Sequence, residues 1–169
     1  GGVMGGCGSN SQRSPEEAEQ SGGQIIFGTG DHKGFVSALE QAVLSGDGSA
    51  ETELDDPFRR LDYEQLPAGA VSGRTRALLK IQDGCVNFCT YCIIPYARGR
   101  VRSRAIEDIL EESRRIGQKY REVVLVGINL SAYGSDIGTN LLEAVRAAAS
   151  AEGIERVRLG SLEPDLTPD

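Results

Sequence analysis

The sequence predicts an α/β protein in two parts, a small α/β piece in front and the opening half of a barrel or open α/β sheet behind, on three observations. After residue 74, apolar runs of strand length alternate with amphipathic stretches of helical length. Residues 47–73 interrupt this order with seven acids between Asp47 and Glu64 and two prolines. Charge divides at the same place: residues 1–73 carry 4 basic and 12 acidic side chains, and residues 74–169 carry 14 and 13. The overall charge of -7 therefore belongs to the front, while four arginines fall between Arg98 and Arg104. No stretch approaches the eighteen or so apolar residues of a membrane span, and no basic-then-apolar leader opens the chain, so a cytoplasmic protein without a membrane partner is expected.

The opening GGVMGGCGSN is Gly-rich around a short apolar piece and reads like a cut edge. Ser14-Pro15-Glu16-Glu17 has the pattern of a helix start, with Ser as N-cap, Pro in the first position and acids in the first turn. Gln24 to Phe27 is a plausible buried strand ended by Gly28. From Lys33, residues Phe35, Val36, Leu39, Ala42 and Val43 recur at helical spacing and stop before Gly46. Residues 47–73 read as a linker with a short ordered piece around Phe58 and Leu61.

Arg76 to Gln82 then reads as a strand that delivers Asp83, Gly84 and a cysteine loop. Ser103 is expected to cap a helix with Glu107 and Asp108 in its first turn and Ile106, Ile109, Leu110, Ile116 and Tyr120 on one face. Glu122 to Ile128 is a near-continuous apolar run, as expected of a parallel strand covered on both faces. Asn140 to Glu152 predicts a second amphipathic helix, closed by Gly153. Arg156 to Leu162 predicts a third strand, giving successive βαβ units. The chain stops where another crossover helix should begin, so this edge also reads as cut.

Three of the four cysteines lie in GCVNFCTYC, as Cys85-x3-Cys89-x2-Cys92. Without a secretory signal, ligation is a better default than disulfides. Three thiolates from one tight loop can reach different corners of one cluster, and soft sulfur selects iron-sulfur or zinc over hard cations. A cubane held by three cysteines keeps one iron open to a small molecule. A closed zinc site wants four ligands, and only Cys7 or His32 could complete it. Both metals stay open on ligand count alone, with a zinc-binding nucleic-acid module as the non-enzymatic alternative.

The loop resembles the radical S-adenosylmethionine enzymes, whose CxxxCxxC motif carries an aromatic residue before the last cysteine, here Tyr91. KIQDGCVNFCTYCIIPYARGRVRSR, followed by GINLSAYG and RLGSLEP, is similar to the methylthiotransferase branch from Arg74 to Pro164. Within it the likeness is greatest to enzymes acting on threonylcarbamoyl-adenosine beside the tRNA anticodon. Sister enzymes act on isopentenyl-adenosine in tRNA or on a ribosomal-protein aspartate. The resemblance implies the first half of a radical-SAM partial (β/α) barrel in residues 74–169, an acidic linker in 47–73, and the C-terminal part of the methylthiotransferase N-terminal domain in 1–46, as an internal fragment of the parent.

By the same resemblance, Cys85, Cys89 and Cys92 bind a [4Fe-4S] cluster whose open iron chelates S-adenosylmethionine. One-electron reduction then cleaves the sulfonium to methionine and a 5′-deoxyadenosyl radical. A flavodoxin or ferredoxin is the implied electron donor, and the sulfur donor is left open. Tyr91 would contact the adenine, or simply pack over the cluster. Gly127 and Asn129 end the second strand, where the superfamily binds the methionine amino group, although the common double-glycine-acid form is absent. Ser161 and Glu163 end the third strand, on the rim where such barrels place ligands, or are ordinary loop polarity. Cys7, in GGC ahead of QRSPEE, would be one third of a second [4Fe-4S] site whose two other cysteines are not in this chain. Arg98, Arg100, Arg102 and Arg104 are candidates for RNA phosphate contact. A solvated basic loop is the alternative, and some of these arginines can instead brace the cluster loop or S-adenosylmethionine.

Overall fold

The computed structural model describes residues 2–5, 23–27, 31–45, 51–53, 56–68 and 75–163. The chain divides into two compact units, Gly1–Glu64 with Val86–Arg100, and Gln65–Cys85 with Val101–Asp169. No helix among the described residues is long and apolar enough to cross a membrane.

The first unit holds a parallel sheet of β1 (Gly2–Gly5), β2 (Gly23–Phe27) and β3 (Glu51–Glu53), in that order. Helix α1 (His32–Ser45) lies between β2 and β3 in the chain. Strand β2 and helix α1 stand where the apolar spacing predicts them. The buried stripe of α1 is narrower than expected: Ala38 is enclosed with Phe35, Leu39 and Ala42, while Val36 and Val43 are exposed. Positions 35, 38, 39 and 42 form one helical row, and 36 and 43 lie on its flank.

Strand β3 falls inside the acidic stretch read as linker, yet Glu51–Glu53 pairs with Ile25–Phe27. A three-residue strand held by backbone hydrogen bonds leaves too little periodicity to detect. The ordered piece around Phe58 is a 3-10 turn, Pro57–Arg59, capped by Asp56, whose carboxylate accepts the Phe58 N–H at 2.9 Å. Leu61 is exposed and outside it. Cys7 and the helix start expected at Ser14 to Glu17 lie outside the described residues.

The second unit is built on a parallel sheet in the order β4 (Arg76–Lys80), β7 (Glu122–Val126), β8 (Arg156–Leu159). Helix α3 (Ile106–Gly117) joins β4 to β7, and α4 (Leu141–Ala149) joins β7 to β8. These are the two βαβ units the alternation predicts. Pairing sets Ala77 opposite Val123 and Leu79 opposite Leu125. That face is sealed by Ile109 and Ile116 of α3 and Ala144, Ala147 and Ala148 of α4. Each fully buried Leu or Ile contributes about 1.5–3 kcal/mol of burial free energy.

Strand β7 departs from the expectation of cover on both faces. Val123 and Leu125 are buried, but Val124 and Val126 are only partly so. Helices on one face only are what a barrel segment requires.

Two capping expectations also change. Ala105 is the N-cap of α3, and Ser103 sits in β6 (Arg102–Ser103), paired antiparallel with β5 (Gln82–Asp83). The Ser103 hydroxyl and N–H both donate to Asp136, at 2.5 and 2.8 Å, so its side chain is committed elsewhere. Helix α4 starts as expected, with the Asn140 carboxamide accepting the Glu143 N–H. It ends at Ala149 with Ser150 as C-cap, and Gly153 belongs to the following turn, packed against Gly117.

Candidate functional site

In the second unit, the cysteine loop departs where β4 leaves the sheet. Ile81 still bonds to it, its N–H donating to the Val126 carbonyl at 2.9 Å, and its own carbonyl accepts the Arg104 N–H at 2.8 Å. Gln82 and Asp83 then pair with Arg102 and Ser103, forming a two-residue ladder at the base of the cysteine loop. Asp83 is buried and faces two cations, Lys80 Nζ at 2.7 Å and Arg102 Nη2 at 3.5 Å. Its Oδ1 accepts the Gly84 N–H at 2.8 Å. Gly84 takes a φ of 76°, a left-handed turn that favours glycine and directs the chain into the loop.

Within the loop, Cys85 and Cys92 are half-buried, Cys89 is exposed, and all three are free thiols. The Cys92 N–H closes a turn onto the Cys89 carbonyl at 2.9 Å. Phe88 is held at φ 48°, a conformation that costs a non-glycine residue about 1–3 kcal/mol and is commonest at functional sites. Its ring stacks on Phe58, centroids 6.3 Å apart, and meets Tyr96 edge-on at 5.5 Å. Tyr96 belongs to α2 (Ile94–Arg98), which packs on the 3-10 turn. Tyr91 is 92% exposed.

The four arginines separate. Arg100 is exposed and Arg98 ends α2 half-buried. Arg102 and Arg104 are only 4% and 5% exposed. Arg102 faces Asp83, while Arg104 reaches Glu112 Oε2 at 3.9 Å and the Leu66 carbonyl at 3.4 Å. Both are turned away from solvent, which corrects the expectation that they contact phosphate.

At the end of β7, Gly127 and Asn129 flank the same place. A Cβ on Gly127 would lie 2.8 Å from Gln82 Oε1 and 2.8 Å from Leu130 Cδ2, so any larger residue there would displace Gln82 and Leu130. Asn129 is 5% exposed, its N–H donates to Gln82 Oε1 at 2.8 Å, and its Oδ1 has no hydrogen-bond partner. A buried acceptor left open costs about 1–3 kcal/mol. Ser161, after β8, takes φ 44°, and its carbonyl accepts the Leu130 N–H at 3.1 Å. Glu163 is exposed and exchanges backbone bonds with the Ser131 hydroxyl.

Sequence reasoning missed several residues that shape this region. Gln82 reads as the end of a strand, yet it is fully buried and bonded to three backbone groups. Tyr133 is also buried, its hydroxyl donating to the Arg104 carbonyl at 2.5 Å. Glu112 ties α3 to the Ala68 N–H at 2.9 Å. Only Glu112, a charged residue between Ile109 and Ile116 on the buried side of α3, carried a signal in the sequence.

Three soft thiols within eight positions fit an iron-sulfur cluster by donor type, and the open Asn129 acceptor fits an amine donor. Among the described residues, no three His, Cys, Asp or Glu side chains are gathered around one point.

Residues 79–169 match the family model described as the Radical SAM superfamily. The chain is 36% identical over 162 residues to the threonylcarbamoyladenosine tRNA methylthiotransferase of Thermotoga maritima, covering 95% of this chain and 36% of that protein. To the Bacillus subtilis protein of the same name it is 34% identical over 174 residues, covering 99% of this chain and 38% of that one. To the tRNA-2-methylthio-N(6)-dimethylallyladenosine synthase of Acetivibrio thermocellus it is 48% identical over 98 residues, 56% of this chain and 20% of that one. The chain spans little more than a third of the length of the first two.

Proposed function

Because the chain belongs to the radical SAM superfamily, we propose that it is part of a tRNA methylthiotransferase, which replaces a carbon-hydrogen bond of a modified adenine by a methylthio group. The observation that carries this reading is the Cys85-x3-Cys89-x2-Cys92 loop leaving the end of β4, the first strand of a parallel β4-β7-β8 sheet. Relatives named as tRNA methylthiotransferases align across nearly all of the chain.

In this reading Cys85, Cys89 and Cys92 hold a [4Fe-4S] cluster, which supplies the electron that opens the sulfonium of bound S-adenosylmethionine. The chain's own residues bind and orient. Asn129 Oδ1 accepts from the amino group of the methionine moiety, and Gly127 beside it makes room for the Gln82 carboxamide that bonds to the Asn129 N–H. Ser161 shapes the rim after β8, and Tyr91 closes over the adenine. Arg98 and Arg100 are the RNA-facing pair, and a flavodoxin or ferredoxin reduces the site. Cys7 contributes to a second cluster in the full-length parent, and residues 1–46, 47–73 and 74–169 are its N-terminal-domain piece, linker and radical SAM portion. Superfamily membership leaves the zinc-binding module without support.

The run YARGRVRSR with GINLSAYG and RLGSLEP favours threonylcarbamoyl-adenosine as the substrate base. The 48% identity to a dimethylallyladenosine synthase favours the isopentenyl-type base instead, over a shorter span. Mass spectrometry of tRNA nucleosides, from cells with and without the protein that carries this chain, separates them. The expected result is loss of the methylthio form of threonylcarbamoyl-adenosine. Loss of the methylthio isopentenyl form would reassign the substrate, and no change in either would contradict the activity.

A further inference from the structure

Gln82 is a buried side chain that bonds both to the start of the cysteine loop and to the end of β7. Gln82 is 0% exposed, and its carboxamide makes three hydrogen bonds, each to backbone. The Nε2 group donates to the Asp83 carbonyl at 2.9 Å and to the Gly84 carbonyl at 2.7 Å, the second immediately before Cys85. The Oε1 atom accepts the Asn129 N–H at 2.8 Å. Gly127 makes the room, since a Cβ there would also lie 2.9 Å from the Gln82 Cβ.

A position that only filled the core would favour an apolar side chain, as Leu79 and Ile81 do just before it, because a buried carboxamide must recover its desolvation through hydrogen bonds. Here each bond goes to one of two short segments, 83–84 and 129. Ladder bonds of β5 and β6 fix the loop base to Arg102 and Ser103, but they do not reach the end of β7. The carboxamide supplies that link.

We propose that Gln82 is a positioning residue that sets Cys85 and Asn129 at a fixed separation, so that a cofactor held by the thiol loop meets the Asn129 acceptor without further rearrangement. Gln82 touches no reacting atom and acts through these two neighbours. The proposal rests on the cofactor reading given above for its consequence, but not for the clamp itself.

The clamp can be tested without metal. In the reduced full chain, iodoacetamide labelling followed by mass spectrometry gives a separate rate for Cys85, Cys89 and Cys92. Gln82→Met keeps the volume and removes all three bonds, while Gln82→Glu keeps the shape and the acceptor toward Asn129 but gives up the two donations. Both variants are expected to speed Cys85 about tenfold, the scale of losing one buried hydrogen bond, with Cys89 and Cys92 unchanged. Equal Cys85 rates in wild type and both variants would overturn the proposal. Parallel acceleration of all three thiols in both variants would overturn it too, since Gln82 would then be holding the fold at large.

After anaerobic reconstitution, equilibrium dialysis with S-adenosylmethionine tests the consequence. Gln82→Met is expected to weaken binding about tenfold at unchanged iron content, on the same scale. Unchanged binding beside a faster Cys85 would overturn the positioning role. Wild-type chain that takes up iron and binds no S-adenosylmethionine would count against the cofactor reading, and the labelling result would then decide the clamp alone.

Discussion

Arg102 and Arg104 show what a run of like charges conceals. Four arginines in seven positions look like one basic surface, but the β5–β6 pairing sets buried Arg102 opposite Asp83. Removing Arg102 takes away one of the two cations beside buried Asp83 and leaves Lys80 at 2.7 Å, so Arg102→Ala is expected to cost about 1–3 kcal/mol in a denaturant titration. An exposed Arg100→Ala is expected within about 0.5 kcal/mol of wild type. Equal costs would refute the division between the two. Tyr133 carries the clearest pH dependence. Burial first, then the charges of Asp136 and Glu107, push its ionisation well above the usual tyrosine range. The unfolded chain ionises at about pH 10, so this tyrosine's stabilisation is complete below that and falls as pH rises past it. Tyr133→Phe should flatten that decline while costing about 1–3 kcal/mol at neutral pH, because the Arg104 carbonyl loses its donor. Thermal midpoints between pH 8 and 11 check both effects. Neither Tyr133 nor Gln82 could be singled out from the sequence, since a polar residue at a strand or turn end looks the same whether it faces water or backbone.

At the scale of elements, apolar spacing located β4, β7, β8, α3 and α4, because each buries a regular face. Elements without such a face escaped. Strand β3 is three residues held by backbone pairing, and the β5–β6 ladder is two. The start of α3 was misassigned to Ser103 because a capping residue is identified by chemistry, and chemistry cannot tell that Asp136 has already claimed the hydroxyl. Asn140, by contrast, does cap α4, and Asn140→Ala is expected to cost about 1 kcal/mol. Leu125, sealed between the sheet and its helices, should cost about 2–5 kcal/mol as Leu125→Ala. Chemical denaturation of both variants tests the assignment; a Leu125 cost no larger than that of Asn140 would contradict the one-sided core.

Over the whole molecule, the cysteine spacing made the superfamily legible before any geometry, and the strand and helix alternation made its sheet legible as well. What the spacing could not show is how the loop base is held: by a buried Asp83 between two cations and a carboxamide between two strand ends. Two of these contacts, Asp83 with Arg102 and Gln82 with Asn129, join residues 19 and 47 positions apart in the chain. The central claim is that Cys85, Cys89 and Cys92 together make a cluster site with one open position for S-adenosylmethionine. The most direct measurement is an electron paramagnetic resonance spectrum of the anaerobically reconstituted, reduced chain, with and without S-adenosylmethionine. A four-iron signal that shifts on addition of S-adenosylmethionine, and that disappears in Cys89→Ala, is the predicted result. A folded chain that retains zinc and shows no iron-sulfur signal would contradict it.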